Sequence, residues 1–333
     1  MRDLLNTIDI ARFLEGNLTR DATRDLARQL VSESERVGFF YVKGSNEIVP
    51  RDLVDRVFEF NQRFFDLPLE IKNSLAYTSS KANRGYLSFG REQASLSTQV
   101  TLNGGQPVPE EQLERDQKET MEIGNDVDPE FPEHWPNERD LPGFRATMNE
   151  FHLACHELHL RIMELVAIAL DLDPGYFVDK ISSRSHCLRL LHYPPTNRRD
   201  GQTRIGSHTD FGTVTLLWQD ETGGLEVVGP DGQWCPVDPK PDTFVVNIGD
   251  ILSRWSNDRL KSTIHRATLP DPSKDDPVTG KTRTRRSVAY FCNPDPTAMI
   301  SCIPGLEGPK GPKYEPILSG DYYAKALEAE IGV

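Results

Sequence analysis

The chain has 333 residues, with 38 lysines and arginines against 51 aspartates and glutamates, so its formal net charge is −13. A surface this acidic disfavours nucleic acid and anionic membranes as partners, and no stretch approaches the roughly 18 apolar residues of a membrane span. At 37% hydrophobic residues the chain can bury the core of one large β-rich domain or two smaller ones.

Five cysteines (Cys155, Cys187, Cys235, Cys292 and Cys302) show no Cys-x-x-Cys spacing, which suggests neither a disulfide framework nor a zinc ribbon. No cationic start leads into an apolar run, and Glu330–Val333 matches no targeting address. A reducing, cytoplasmic setting is the expectation.

Leu26, Leu30, Val31 and Val37 predict an amphipathic helix over 22–37, ended by Gly38. Phe39–Val42 then reads as a strand. Leu53, Val54, Val57, Phe60 and Phe64 predict a second helix over 50–65, which Leu67-Pro68 breaks. Residues 76–140 are polar and rich in Gly, Pro and Glu, and read as a long loop over a site. Part of the stretch 78–137 is expected to lid that site and to order when substrate binds.

A third helix, over 144–172, carries the apolar stripe Phe144, Met148, Phe151, Leu158, Ile162, Leu165 and Ala169. His152, His156 and His159 share it at spacings that could chelate a metal. No metalloprotease-like carboxylate pattern surrounds them, so they read as a partly buried helix face.

From Ser185 onward strands dominate: 186–193, 212–219, 225–228, 243–248, 263–269 and 285–291. Turn signals at Gly223-Gly224 and Pro230-Asp231-Gly232 point to an antiparallel sandwich or barrel. The expected fold is mainly β with flanking helices, an eight-stranded jelly roll that limits exposed edges and leaves a cavity between its sheets. The expected organisation is a helical and loop region, 1–140, packing on a catalytic core, 141–333, as one integrated unit.

Chemistry enters with His208-x-Asp210 and, 55 residues after Asp210, His265. Residues i and i+2 of a strand share a face, so His208 and Asp210 could bind one ion, and His265 could join them from a neighbouring strand. Two imidazoles and a carboxylate leave three octahedral positions open, the ligand set of non-haem Fe(II) oxygenases. In Arg285-Arg286-Ser287-Val288-Ala289-Tyr290-Phe291, Arg285 and Ser287 share a strand face and suit a carboxylate. Lys281, Arg283 and Arg286 leave a solvated basic patch as the plainer reading of that run.

The order His-x-Asp, His, Arg-x-Ser resembles the 2-oxoglutarate and Fe(II)-dependent dioxygenases, in particular their isopenicillin N synthase-like group. The resemblance runs through nearly the whole chain. It takes in Val37-Gly38-Phe39-Phe40-Tyr41-Val42, Asn83-Arg84-Gly85-Tyr86 and Lys118-Glu119-Thr120-Met121-Glu122-Ile123-Gly124. It continues through Leu188-Arg189-Leu190-Leu191-His192-Tyr193-Pro194-Pro195, Gly249-Asp250-Ile251-Leu252 and Lys261-Ser262-Thr263-Ile264-His265-Arg266.

The resemblance implies a double-stranded β-helix. Fe(II) would sit on His208, Asp210 and His265, and 2-oxoglutarate would meet Arg285, Ser287 and Tyr193. O₂ would be the other co-substrate, with ascorbate supportive. The implied partner is a small-molecule substrate, of secondary metabolism, with no obligate protein partner evident. Hydroxylation, desaturation and ring formation stay open. Arg84 and Tyr86 lie where relatives contact substrate, and Trp255, Phe291 and Asn293 are further candidates. Trp255 and Asn257 would support His265 from the turn before it, and Arg189 reads as structural.

Two departures from the pattern stand out. Leu191 occupies a position where many relatives carry Asn, and 19 residues separate His265 from Arg285, more than the family leads one to expect. The excess falls in Asp271–Pro277, an exposed loop, and makes Arg283 a rival of Arg285, although only Arg285 has Ser two residues on. Two other functions compete. One is an iron oxidase of the same fold that uses O₂ without 2-oxoglutarate; the other is a jelly-roll binding module without catalysis.

Overall fold

The computed structural model describes residues 4–76, 84–95, 115–126, 134–199 and 202–331. The chain opens with β1 (Thr7–Asp9), α1 (Ala11–Leu14), α2 (Arg20–Arg36), β2 (Phe39–Lys43), α3 (Arg51–Phe65), α4 (Leu69–Ser74), β3 (Gly85–Leu87) and β4 (Glu119–Ile123). After α5 (Phe144–Ala169) come β5 (Cys187–Tyr193), β6 (Thr203–His208), β7 (Val214–Gln219), β8 (Leu225–Val228), β9 (Trp234–Pro236) and β10 (Thr243–Ile248). Then follow α6 (Asp250–Trp255), β11 (His265–Thr268), β12 (Arg285–Cys292), β13 (Met299–Ile300), β14 (Ile317–Leu318) and α7 (Ser319–Ile331).

Local sequence explains the boundaries. The Thr19 hydroxyl accepts from the Ala22 amide and caps α2. The helix ends because Gly38 takes φ +75°, and a Cβ there would lie 2.0 Å from the Lys261 carbonyl oxygen. That glycine turns the chain directly into β2.

Two sheets enclose the site. The larger runs β1-β2-β10-β7-β12-β5-β4-β3, and the smaller runs β6-β11-β8-β9. All their neighbours are antiparallel except β1 and β2. This is the jelly roll. Alternation assigns its faces. On β5 and β12, Leu188, Leu190, Val288 and Tyr290 join the core formed with α2, α3 and α5. The intervening Leu191, Tyr193 and Ala289 face inward and pack with Ile205 and Ala267 of the smaller sheet. Both faces of the larger sheet are therefore covered, which is why these strands read as near-continuous apolar runs.

The region before residue 140, expected to hold helices, loops and the strand 39–42, supplies β1, β3 and β4 to the larger sheet besides that strand, β2. β4 hid in the stretch read as one long loop because two of its five buried residues are charged, and β3, only Gly85–Leu87, is too short to show alternation. Glu119 accepts from Lys72 Nζ at 2.9 Å and from the Tyr86 hydroxyl at 2.5 Å, and meets His192 Nδ1 at 2.7 Å. Glu122 pairs with Arg189 Nε at 2.6 Å. Cross-strand ion pairs thus replace apolar alternation as the signal.

The segment leading to His265 holds a short helix, α6, where a turn was expected. Its first residue, Asp250, is buried and accepts from Ser262 (2.5 Å), Thr209 (3.1 Å) and Tyr322 (3.2 Å). Burial pushes its carboxyl up to about 6, partly offset by those three hydroxyls. A raised folded-state value means that the ionised carboxylate opposes folding. The penalty is absent below the unfolded-state value and complete above about pH 6. Asp250→Asn is therefore expected to gain stability relative to wild type as pH rises, with a ceiling of about 3 kcal/mol from a two-unit shift. The weakened hydroxyl contacts add an offset that does not vary with pH. Denaturant unfolding between about pH 5 and 8 checks this, and a difference independent of pH would contradict it.

Among the described residues no helix is long and apolar enough to cross a membrane, and all five cysteines are free of disulfides.

Candidate active site

The candidate metal trio, His208, Asp210 and His265, assembles at the smaller sheet. His208 ends β6 and His265 begins β11, and the two residues face each other in the antiparallel register. Their ring centroids are 4.3 Å apart. Asp210 lies beyond the end of β6, so the expected strand geometry, with i and i+2 on one face, does not place it. It is placed instead by the Asp250 amide, which donates to its carbonyl at 2.8 Å, and by its side chain's partners. Thr215 Oγ1 and the Asn247 amide both donate to Asp210 Oδ2, at 2.6 and 2.7 Å. That leaves Oδ1 facing the imidazoles, 3.9 Å from His208 Nε2 and 3.7 Å from His265 Nε2.

The imidazoles are prepared the same way. His208 Nδ1 meets the Gly206 carbonyl at 2.9 Å and His265 Nδ1 the Thr263 carbonyl at 3.1 Å. A carbonyl only accepts, so each Nδ1 carries a proton and each Nε2 is the nitrogen turned toward Asp210 Oδ1. Burial and the adjacent His265 push His208 down to about 3, so it stays neutral. Burial alone would raise Asp210, but His265, His208, Thr215 and Asn247 hold it below the ordinary carboxylate range. Two imidazoles and a carboxylate with ligand atoms within 4.8 Å of one another fit a divalent ion with open positions. Phe39 packs edge-on against His265 at 5.2 Å and fixes its ring.

The anion end of the cavity is equally specific. Arg285 is only 2% exposed. Its guanidinium donates to Ser287 Oγ at 3.3 Å and Gln219 Oε1 at 3.2 Å and lies over the Tyr193 ring at 4.8 Å. Among the described residues it has no carboxylate partner. A buried guanidinium with only neutral partners is costly unless an anion arrives. Arg204 adds positive charge nearby; burial and Arg285 push it down to about 10. Arg283 is exposed, whereas Arg285 lines the cavity.

The cavity wall joins these parts, since His208, Asp210, His265, Arg285, Ser287 and Tyr193 all line it together with Phe291 and Asn293. Three other candidates fall outside it. Tyr86 is spent in the core, donating to Glu119. Arg84 is buried with its guanidinium packed on Gly124, where a Cβ would fall 1.7 Å from it. Trp255 is 1% exposed and packs on Phe177 at 5.5 Å, a core role. Their side chains are polar or aromatic, as a pocket's would be, but the core uses Tyr86 as a hydrogen-bond donor, Arg84 as packing against Gly124 and Trp255 as filler.

Sequence reading missed other wall residues. Arg189 and Lys118 line the cavity, but Glu92 ties them together, at 3.0 Å from Arg189 and 2.7 Å from Lys118. Asp116 adds a second carboxylate 3.0 Å from Lys118. Thr215 and Asn247, which orient Asp210, were also unread. An Asn in the otherwise apolar run Phe244-Val245-Val246-Asn247-Ile248 was the one available signal. Much of the supposed lid over 78–137 lies outside the described residues, although Ala94 and Lys118 from that stretch reach the cavity.

A second group of imidazoles, His156, His159 and His186, also brings ligand atoms within 4.8 Å of one another. Its protons argue against a metal. The Asn293 amide donates to His186 Nδ1 at 3.0 Å, which puts the His186 proton on Nε2. That proton then points at His156 Nδ1, 2.9 Å away. Two of the three lone pairs are thus taken by hydrogen bonds; of the helix histidines expected on a partly buried face, His152 and His159 are in fact buried and only His156 is partly exposed.

Comparison with known proteins follows the same lines. Residues 184–294 match the family model of the 2OG-Fe(II) oxygenase superfamily, and residues 5–139 match that of the non-haem dioxygenase N-terminal region. The chain is 36% identical to the 2-oxoglutarate-Fe(II) type oxidoreductase ppzD of Metarhizium majus, over 97% of this chain and 94% of that protein. It is 38% identical to the proline hydroxylase buaE of Petromyces alliaceus, over 84% of each. Among solved structures, Neurospora crassa T7H in complex with α-ketoglutarate and thymine superposes with a TM-score of 0.85 at 37% identity, covering 98% of this chain and 96% of that one.

Proposed function

The chain belongs to the 2-oxoglutarate–Fe(II) oxygenase superfamily, and on that premise we propose that His208, Asp210 and His265 hold its iron while Arg285, Ser287 and Tyr193 hold the far carboxylate of 2-oxoglutarate. The protein is an Fe(II)- and 2-oxoglutarate-dependent dioxygenase. One observation carries the co-substrate assignment: a buried guanidinium without an acidic partner among the described residues, on the wall that also bears the trio. Iron with 2-oxoglutarate and O₂ supplies an oxidant that breaks a substrate C–H bond as 2-oxoglutarate loses CO₂ to become succinate.

The residues divide the labour along β12. Arg285, Ser287, Ala289 and Phe291 lie on one face, so Arg285 and Phe291 are separated by about 20 Å at 3.3 Å per residue. The co-substrate therefore occupies the Arg285 end, and the molecule to be oxidised occupies the end at Phe291 and Asn293. The Nδ1–H of each imidazole points to a backbone carbonyl, which turns each Nε2 toward the metal position. Asp210 binds through one oxygen because Thr215 and Asn247 occupy the other. Leu191, Phe211, Phe291 and Leu217 keep water from the reacting centre.

The substrate is a small molecule of secondary metabolism, a reading supported by the kinds of proteins the chain resembles. Oxygen uptake with stoichiometric succinate release, screened across metabolite extracts, tests the function. Substrate oxidation without succinate would count against it.

Asn247→Ala and Thr215→Val free Asp210 Oδ2 without touching a ligand atom. Each is expected to weaken Fe(II) binding about 10–100-fold, the scale for lost support of a metal ligand. Anaerobic metal competition measures this, and unchanged affinity in both variants would show that Asp210 needs no support.

A further inference from the structure

Asn293 follows β12 and is 7% exposed, yet among the described residues its Oδ1 has no hydrogen-bond partner. Everything else about the residue is fixed. Its Nδ2 donates to the Ser185 carbonyl at 3.1 Å, and its own amide donates to His186 Nδ1 at 3.0 Å. The first contact sets the orientation of the side-chain amide, because the flipped form would set Oδ1 against another carbonyl. The acceptor therefore lies on the side of Gly212, which lines the same cavity. A Cβ at Gly212 would come within 2.8 Å of Asn293 Oδ1 and 2.3 Å of the Cys292 carbonyl oxygen, so only glycine leaves this acceptor room.

An oriented, desolvated acceptor without a donor costs free energy until a donor arrives. We propose that Asn293 Oδ1 is the specificity-determining acceptor of the active site, taking a hydrogen bond from an N–H or O–H group of the substrate. The inference rests on the reading of this cavity as the oxygenase active site. It narrows the substrate to molecules that carry such a donor, and it makes N- or O-alkylation of that donor a cause of rejection, since an alkyl group leaves the acceptor unpaired. Phe291 and Phe211, also on the wall, offer apolar contact to the rest of the molecule.

The test uses full-length protein loaded anaerobically with Fe(II) and 2-oxoglutarate. Thymine, 2-pyrrolidinone and indole are each titrated against their N-methylated forms, with calorimetry for affinity and succinate release on admitting O₂. At least one N–H compound is expected to bind about tenfold or more tightly than its methylated partner. Asn293→Leu is expected to bring that ratio near unity while leaving 2-oxoglutarate affinity unchanged. Asn293→Asp, which keeps an acceptor, is expected to preserve part of the preference and covers the case in which the leucine variant misfolds. The proposal is overturned if no N–H compound binds, if methylated forms bind equally well, or if discrimination survives in Asn293→Leu. Absence of any 2-oxoglutarate-dependent signal in the wild-type protein would instead overturn the active-site reading beneath it.

Discussion

His208→Ala, Asp210→Ala and His265→Ala are each expected to abolish turnover while the fold persists. The loss should exceed the roughly 10–100-fold that follows removal of a supporting hydrogen bond, because the trio has no spare protein ligand. The histidine variants should keep the fold, since the Nδ1 contact each loses is to a single backbone carbonyl. Asp210→Ala should be less stable by about 1–3 kcal/mol, because Thr215 and Asn247 lose their acceptor. Iron content and succinate formation, measured on purified variants at matched metal loading, check this. Wild-type turnover in any of the three would remove that residue from the metal site.

The second large effect belongs to Arg285. Arg285→Ala is expected to weaken 2-oxoglutarate binding by about 2–3 kcal/mol, or roughly 30–150-fold, the scale of a lost charge-assisted fork. The size follows from burial. At 2% exposure, water screens the guanidinium little, and its present partners, Ser287 and Gln219, are neutral. Arg283→Ala should change the apparent KM little. Arg283 contributes its backbone carbonyl, which accepts from Arg204 Nη2 at 3.2 Å, while its side chain is exposed. A raised KM in the Arg283 variant with an unchanged one in the Arg285 variant would move the anion site to the wrong strand position.

Features with a period were legible in the sequence. α2, α3 and α5 emerged within a few residues of their true bounds because their apolar faces repeat every three to four positions. β12 was legible as a strand, and its alternation alone puts Arg285 and Ser287 on one face. The jelly roll followed from short strands between glycine-rich turns. Features that depend on partners distant in the chain were not legible. β4 carries buried Glu119 and Glu122, whose countercharges come from Lys72 and Arg189. Tyr86 and Trp255 had the chemistry of pocket residues, and only packing showed that the core uses them. Asp210 was paired with His208 for a geometric reason that does not hold, since the strand ends between them. What brings it to the metal position is a set of hydrogen bonds from Thr215, Asn247 and Asp250, none of which a local pattern announces.

The central claim is that one cavity binds Fe(II) through His208, Asp210 and His265 and 2-oxoglutarate through Arg285. Anaerobic titration of the metal-free protein with Fe(II) and then 2-oxoglutarate tests it most directly. Chelation of the keto acid by bound iron should give a weak visible charge-transfer band that saturates at one equivalent of each. The band should be lost in His208→Ala and shifted to much higher 2-oxoglutarate concentration in Arg285→Ala. A protein that binds neither, or that develops the same band at the same concentrations in both variants, would contradict the account.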